Sequence, residues 1–191
     1  MNNNKPPIET ITDFITGRSL PNEGAEANRQ IVEKYLVEQK SFHKDDIHVN
    51  FPISVTIGEK IYRSRVDLAI HINGRIAMAI KCAAGSLGSR QREILAAARL
   101  LADYQIPLSI VTNGKTALVF DTVTGKEMGS SEEIGTAKES GNGMDAFPDR
   151  QKAKEMVEKT NFTPYPEDRR EREAIIFRSY DTMNVNITRN N

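Results

Sequence analysis

Three apolar runs follow one another between residues 47 and 83 with almost nothing between them. They read IHVNFPISVTI (47–57), IYRSRVDLAIHI (61–72) and RIAMAIKCA (75–83). The first gap is Gly58-Glu59-Lys60 and the second is Asn73-Gly74. Asn-Gly is the strongest short signal for a tight hairpin, because both residues tolerate the positive φ that a twist-matched turn demands. Gaps this short cannot hold a crossover helix, so the three runs predict an antiparallel meander. Further on, PLSIVTN (107–113) is apolar without alternation, as expected of a strand buried on both faces. A sheet of this kind needs cover on both sides.

Helical segments surround the strands. Ile31, Val32, Tyr35 and Leu36 give one apolar face to a helix over about 23–39. Asn22 is its expected cap, with Glu23 and Glu26 in a first turn where the helix dipole favours acids. A second helix is expected over about 90–104, capped by Ser89. Its stripe is Ile94, Leu95, Ala98, Leu101 and Ala102, with Arg92 and Arg99 on the other side. Pro107 ends it. TALVFDTVTG then supplies another strand and turn. The order helix, meander, helix, strand, strand predicts an α/β sandwich with a mixed central sheet flanked by helices. Residues 1–8 are expected to be disordered, 9–128 to form the α/β domain and 129–148 a flexible loop. Residues 149–191 read as a helical C-terminal extension, with Ile175, Ile176, Tyr180 and Met183 as a stripe that packs on the domain or docks a partner.

Composition narrows the class. The chain of 191 residues is 38% hydrophobic and 27% charged, with formal net charge zero, which fits a globular domain. Bulk charge therefore supplies no nonspecific grip on nucleic acid, although a local basic groove remains open. Cys82 is the single cysteine, which excludes an internal disulfide and fits a reducing compartment. The start, MNNNKPPIET, has no apolar signal core, and no run approaches the roughly 20 apolar residues of a membrane helix. A cytoplasmic, non-membrane protein is the expectation.

One residue stands out in the meander. Lys81 lies in IAMAIKCAAGS, and an ammonium is costly to bury without a partner. Side chains alternate along a strand. Ala77, Ala79, Lys81 and Ala83 then share one face of the third strand. Arg65, Asp67, Ala69 and His71 share one face of the second. Val66, Leu68, Ile70, Met78, Ile80 and Cys82 make the opposite, apolar face. Asp67 and Lys81 are natural partners on the small, polar side. They form either a structural ion pair or the start of a site. The alanines leave room beside the lysine, and the Gly-Ser loop that follows leads into a helix, where ligands bind in many α/β folds.

The stretches EANRQIVEKYLVEQK, SRVDLAIHINGRIAMAIKCAAGSLGSRQREILAAARLL and YQIPLSIVTNGKTALVFDTVTGK resemble the restriction-endonuclease fold of the PD-(D/E)xK nucleases. More narrowly, they resemble the N-terminal domain of type I restriction enzyme R subunits, over roughly residues 10–128. The resemblance implies a restriction-endonuclease-like sandwich and Mg²⁺-dependent hydrolysis of DNA phosphodiesters. It implies Asp67, Lys81 and a helix-borne Glu26 as catalytic residues, Glu33 being second choice for the helix acid. Asp67, Glu26 and the carbonyl of Ile80 would hold the metal, and Arg90, Arg92 and Arg99 would contact DNA phosphates. The chain departs from the pattern where it matters most. Ala79 stands two residues before Lys81 in place of the second acid, Val66 replaces the usual proline, and Gln91 sits too early for the family's helical glutamine. Two readings therefore stay open: a nuclease with a degenerate site, or an inactive module of the same fold that binds DNA or a partner. A protein partner or second copy would dock through the C-terminal helix.

Other signals carry less. Asn113-Gly114-Lys115-Thr116 has the tail of a phosphate-binding loop, but Ser109 occupies the first glycine position and a strand follows. His43, His48 and His71 lack metal-ligand spacing. Cys82 reads as a small core residue. RREREAIIFR reads as a solvated helix face.

Overall fold

The computed structural model describes residues 9–128, 143–160, 163–180 and 186–189. The expected disordered segment 1–8 and most of the expected loop, 129–142, lie outside the described residues. The meander forms as its turns dictate: β3 (Ile47–Ile57), β4 (Lys60–Ile72) and β5 (Arg75–Cys82). Asn73 and Gly74 both take positive φ, 52° and 77°, the conformation a two-residue hairpin turn needs. A short hairpin of β1 (Thr10–Thr12) and β2 (Ser19–Pro21) precedes them. β6 (Leu108–Thr112) lies parallel to β5. β7 (Ala117–Asp121) and β8 (Glu127–Met128) follow antiparallel, so the sheet runs β3-β4-β5-β6-β7-β8 and is mixed. β9 (Asn186–Arg189) pairs with the first part of β4.

Helices cover both faces. α1 (Glu26–Glu38) and α3 (Arg150–Lys159) sit on one core that holds Val32, Leu36, Leu68, Ile80, Cys82 and Ile110. α2 (Gln91–Leu100) and α4 (Glu167–Tyr180) sit on another that holds Ala79, Ile94, Val111, Phe120 and Phe177. Burying a side chain such as Leu36 or Ile80 is worth about 1.5–3 kcal/mol, and no strand of the sheet centre lacks one. Every one of the five β6 residues is buried, as its unalternating sequence predicts. Among the described residues no helix is long and apolar enough to cross a membrane.

Several local expectations need correction. α1 starts at Glu26 after an uncapped Ala25. Asn22 does not cap it: it lies four residues before the first helical residue, and its N–H bonds the carbonyl of Glu9 alongside the β1–β2 hairpin. Ile31 is 47% exposed, while Arg29, Gln30 and Glu33 are buried beside Val32 and Leu36, so the inward face of α1 is half polar. Ser89 spends its hydroxyl on the carbonyl of Ser86 and does not cap α2. Val66 packs with the α2–α4 core while Leu68 packs with the α1–α3 core, so the hairpin has no single apolar face. β3 is kinked beside this change, at Asn50, whose φ is 53°. Residues 143–148 close the expected loop with a short turn, and its Met144 and Phe147 are buried.

The C-terminal helix packs on the domain. Its inward residues are Glu173, Ala174 and Phe177, whereas Ile175 of the expected stripe is 53% exposed. Arg99 fixes the register by pairing with Glu173 at 2.9 Å. Met183 lies outside the described residues.

Candidate functional site

The site grows out of the place where β5 leaves β4. The β4–β5 ladder pairs Leu68 with Ile80 and Ala69 with Ala79, a register that sets Asp67 across from Lys81. Beyond Ile80 the strands part, while β5 continues beside β6 to the Cys82–Thr112 pair. The N–H of Cys82 has then lost its strand acceptor, and Oδ2 of Asp67 accepts it at 2.7 Å. On the other side of Asp67 the β3–β4 ladder skips Asn50. Asp67 is thus held by one oxygen at a local opening of the sheet.

Lys81 Nζ lies 3.6 Å from Asp67 Oδ1 and 3.2 Å from Oε1 of Glu93. The other oxygen of Glu93 accepts from Arg90 at 3.0 Å. Glu93 is 5% exposed, and it is the acid that sequence reasoning missed. Its signal was present: Glu93 lies one turn before Ala97 and beside Ile94, on the buried side of α2. A carboxylate there can only face a cation or the sheet.

Electrostatics follow from this arrangement. Burial raises the Asp67 carboxyl above the usual range and nearby Glu93 adds to the rise, against the pull of Lys81 and the Cys82 N–H. Burial alone would lower Lys81, but Asp67 and Glu93 outweigh it and hold the ammonium above its ordinary value. Burial also pushes the Cys82 thiol well up, as suits an inert core residue.

These side chains line a cleft of about 410 Å³, together with Glu26, Arg29, Arg90 and Tyr180. Asp67, Lys81 and Glu26 therefore meet in one place. Glu26 is not free there: Arg29 pairs with it, and Gln30 donates to it at 2.9 Å. Arg29 also joins Glu33 and, at 2.8 Å, Asp13, which ties the N-terminal hairpin to α1. Glu33 belongs to this buried network and does not line the cleft. Burial, helped by Asp13 and Glu26 and opposed by Arg29, pushes its carboxyl up to about 7. The first turn of α1 is located from the far side by Gly114, where a Cβ would come within 3.3 Å of the Asn28 carbonyl. Asn28 in turn donates to the carbonyl of Ala83 at 2.8 Å, fixing the exit from β5.

Other expected residues lie elsewhere. Ala79 is 0% exposed and packs in the α2–α4 core, so the space expected beside the lysine is filled by α2. Ile80, expected to offer its carbonyl, sends its side chain into the opposite core, which leaves that expectation about the carbonyl as it was. Arg90 is at the cleft, whereas Arg92 and Arg99 line a second one. Arg99 is anchored there, donating to the carbonyls of Thr122 at 2.8 Å and Val123 at 3.3 Å besides pairing with Glu173. Among the described residues no three His, Cys, Asp or Glu side chains converge on a point that could cage a metal. Asn113 accepts from the N–H groups of Lys115 and Thr116, so the P-loop-like string is a plain β6–β7 turn.

A mixed sheet between helix layers, with an acid–lysine pair where a central strand ends, defines an α/β domain with a polar cleft at that strand's exit. The family model for the N terminus of the type I restriction enzyme R protein matches residues 24–135. That is more than half of the chain, and the chain belongs to this family. The match runs from just before α1 to just past β8, and it leaves out β1, β2, α3, α4 and β9. No curated protein and no solved structure gives a significant match.

Proposed function

We propose that the chain is a metal-dependent nuclease domain acting on DNA, with Asp67, Lys81 and Glu93 as its working residues. The observation that carries this reading is the position of Lys81 between Asp67 Oδ1 and Glu93 Oε1, at 3.6 and 3.2 Å, inside a cleft. Glu93 restores from the helix the carboxylate that the strand lacks at Ala79.

The donor set fits one Mg²⁺ and not two. Mg²⁺ keeps several waters and is commonly held by one or two carboxylates. Asp67 Oδ1 suits it, because its nearest cation lies beyond hydrogen-bond distance. Glu93, whose two oxygens are held by Lys81 and Arg90, and Glu26, held by Arg29, would join Asp67 only once released from those cations. A bound divalent ion supplies Lewis acidity toward the phosphate and a more acidic water. Lys81 has a distinct role. Its raised pKa keeps it charged, so it stabilises negative charge on the phosphate and does not serve as general base. Arg90, half-buried on the rim and bonded through one nitrogen to Glu93, would offer its remaining donors to a neighbouring phosphate.

The buried methyl of Ala79 favours a second reading, a nuclease-fold module that binds DNA or a partner without cutting it. Nicking of supercoiled DNA separates the two. With Mg²⁺ or Mn²⁺ the wild type should cut, chelator should stop it, and Asp67→Asn, Lys81→Met and Glu93→Gln should each lose about 100-fold or more. Cutting that survives Glu93→Gln removes the helix acid from the scheme. No cutting, with DNA binding that survives chelation, selects the second reading.

A further inference from the structure

The second cleft is the larger, about 780 Å³, and lies between α2 and α4. Its charged lining is lopsided. Arg92, Arg99, Arg169 and Arg172 face a single carboxylate, Glu173, in a chain whose net charge is zero. Glu173 is already occupied by Arg99 at 2.9 Å and by the Tyr165 hydroxyl at 3.3 Å. Arg92, Arg169 and Arg172 are exposed, and none makes an ion pair among the described residues. Guanidiniums brought together from two helices repel one another, and an anion between them relieves that repulsion. The spacing also suits a repeating anion: Arg169 and Arg172 are neighbours on one face of α4, and Arg92 faces the cleft from the first turn of α2. Tyr180 is common to the lining of this cleft and of the Asp67–Lys81 cleft, so the two lie next to each other on either side of that residue.

We propose that the α2–α4 cleft is a channel for the phosphate backbone of a nucleic-acid strand that continues past the Asp67–Lys81 site. The inference rests on the nuclease reading and extends it. Half of the channel comes from α4, which lies beyond the family-matched segment. The C-terminal extension would thus add its own nucleic-acid contacts to the family's domain. Arg99 shapes the channel floor, stacked over Tyr165 at 5.1 Å, and the exposed arginines take the phosphates.

The test is fluorescence anisotropy on the full chain, titrated with one labelled oligonucleotide as a single strand and as a duplex, over a range of salt. Arg169→Gln with Arg172→Gln should weaken binding on the order of tenfold and flatten the log K against log salt slope by roughly 1 to 2. Lys154→Gln with Lys159→Gln removes the same charge from α3, on the opposite layer, and should change little. Stronger loss on the single strand identifies a displaced or unpaired strand as the occupant, and equal loss identifies the duplex backbone; either supports the channel. Wild-type affinity and slope in the α4 variant overturn it, as does an equal loss in the α3 variant. If the wild type binds neither oligonucleotide, the channel and the nuclease reading fall together. If binding depends on Arg169 and Arg172 but cutting never depends on Asp67 or Glu93, only the nuclease reading falls.

Discussion

Glu33 is the place where this fold stores unfavourable charge, and a single atom exchange should release it. Asp13, Glu26 and Glu33 gather on one guanidinium, Arg29, with Asp13 and Glu33 fully buried. One oxygen of Glu33 takes Arg29, while Oε2 has no hydrogen-bond partner among the described residues. Burial pushes the carboxyl up from 4.5 to about 7. The folded chain therefore keeps a proton that the unfolded chain has lost between these values. More protons on the folded state mean that stability falls as pH rises through this window. At about 1.4 kcal/mol per pH unit, the loss amounts to about 3 kcal/mol above the folded pKa. Glu33→Gln keeps the shape, cannot ionise, and leaves Arg29 paired with Asp13 and Glu26. Urea unfolding should find the variant more stable by about 3 kcal/mol near pH 8, with the gap closing below about 1 kcal/mol near pH 5. A gap that does not change with pH refutes the reasoning, and so does a variant that is less stable near pH 8.

Two other changes probe the walls of the site. Ala79→Glu places a carboxylate in a position with 0% exposure under α2, and it should destabilise by about 2–4 kcal/mol. Thermal unfolding without metal measures that loss; an unchanged Tm shows that α2 yields more easily than its alanine packing implies. Arg99→Ala removes the bonds to Thr122, Val123 and Glu173 and leaves the buried Glu173 without its cation. A loss of about 3 kcal/mol is expected, with Arg99→Lys recovering only part because it lacks the fork; denaturant midpoints of the two variants check it.

The sheet was legible because its signals are local. Tight turns at Asn73-Gly74 and Gly58–Lys60, alternation, and the apolar run of β6 each act within a few residues. The first hairpin was not legible, since strands as short as Thr10–Thr12 and Ser19–Pro21 show no periodicity. α1 misled for a different reason. Ile31 reads as core from its spacing, yet the inward face belongs to Arg29, Gln30 and Glu33; Arg29 and Gln30 find partners at Asp13 and Phe14 of the N-terminal hairpin, and Glu33 pairs with Arg29. Pattern alone cannot announce such partners. The Asp67–Lys81 pair could be read because both residues lie on adjacent strands with a fixed register. Glu93 could not be placed, because its contact depends on how α2 crosses the sheet.

That crossing also explains why the second carboxylate beside Lys81 comes from the helix and not from position 79. α2 rests on the sheet through small residues, with Ala79 beneath and Ala96, Ala97 and Ala98 on the helix, all in one core. Small side chains on both surfaces let the two backbones come close, and a carboxylate between them would be buried and crowded. Glu93 avoids this by lying in the first turn of α2, just beyond the alanine layer, where the helix dipole favours an anion. From there its carboxylate reaches the cleft side of the same lysine. Lys81 therefore keeps two carboxylates, Asp67 from the strand beside it and Glu93 from the helix above. An apolar strand can carry this cation because the charge never enters the core: it stands at the seam where the sheet opens, with an acid on either side.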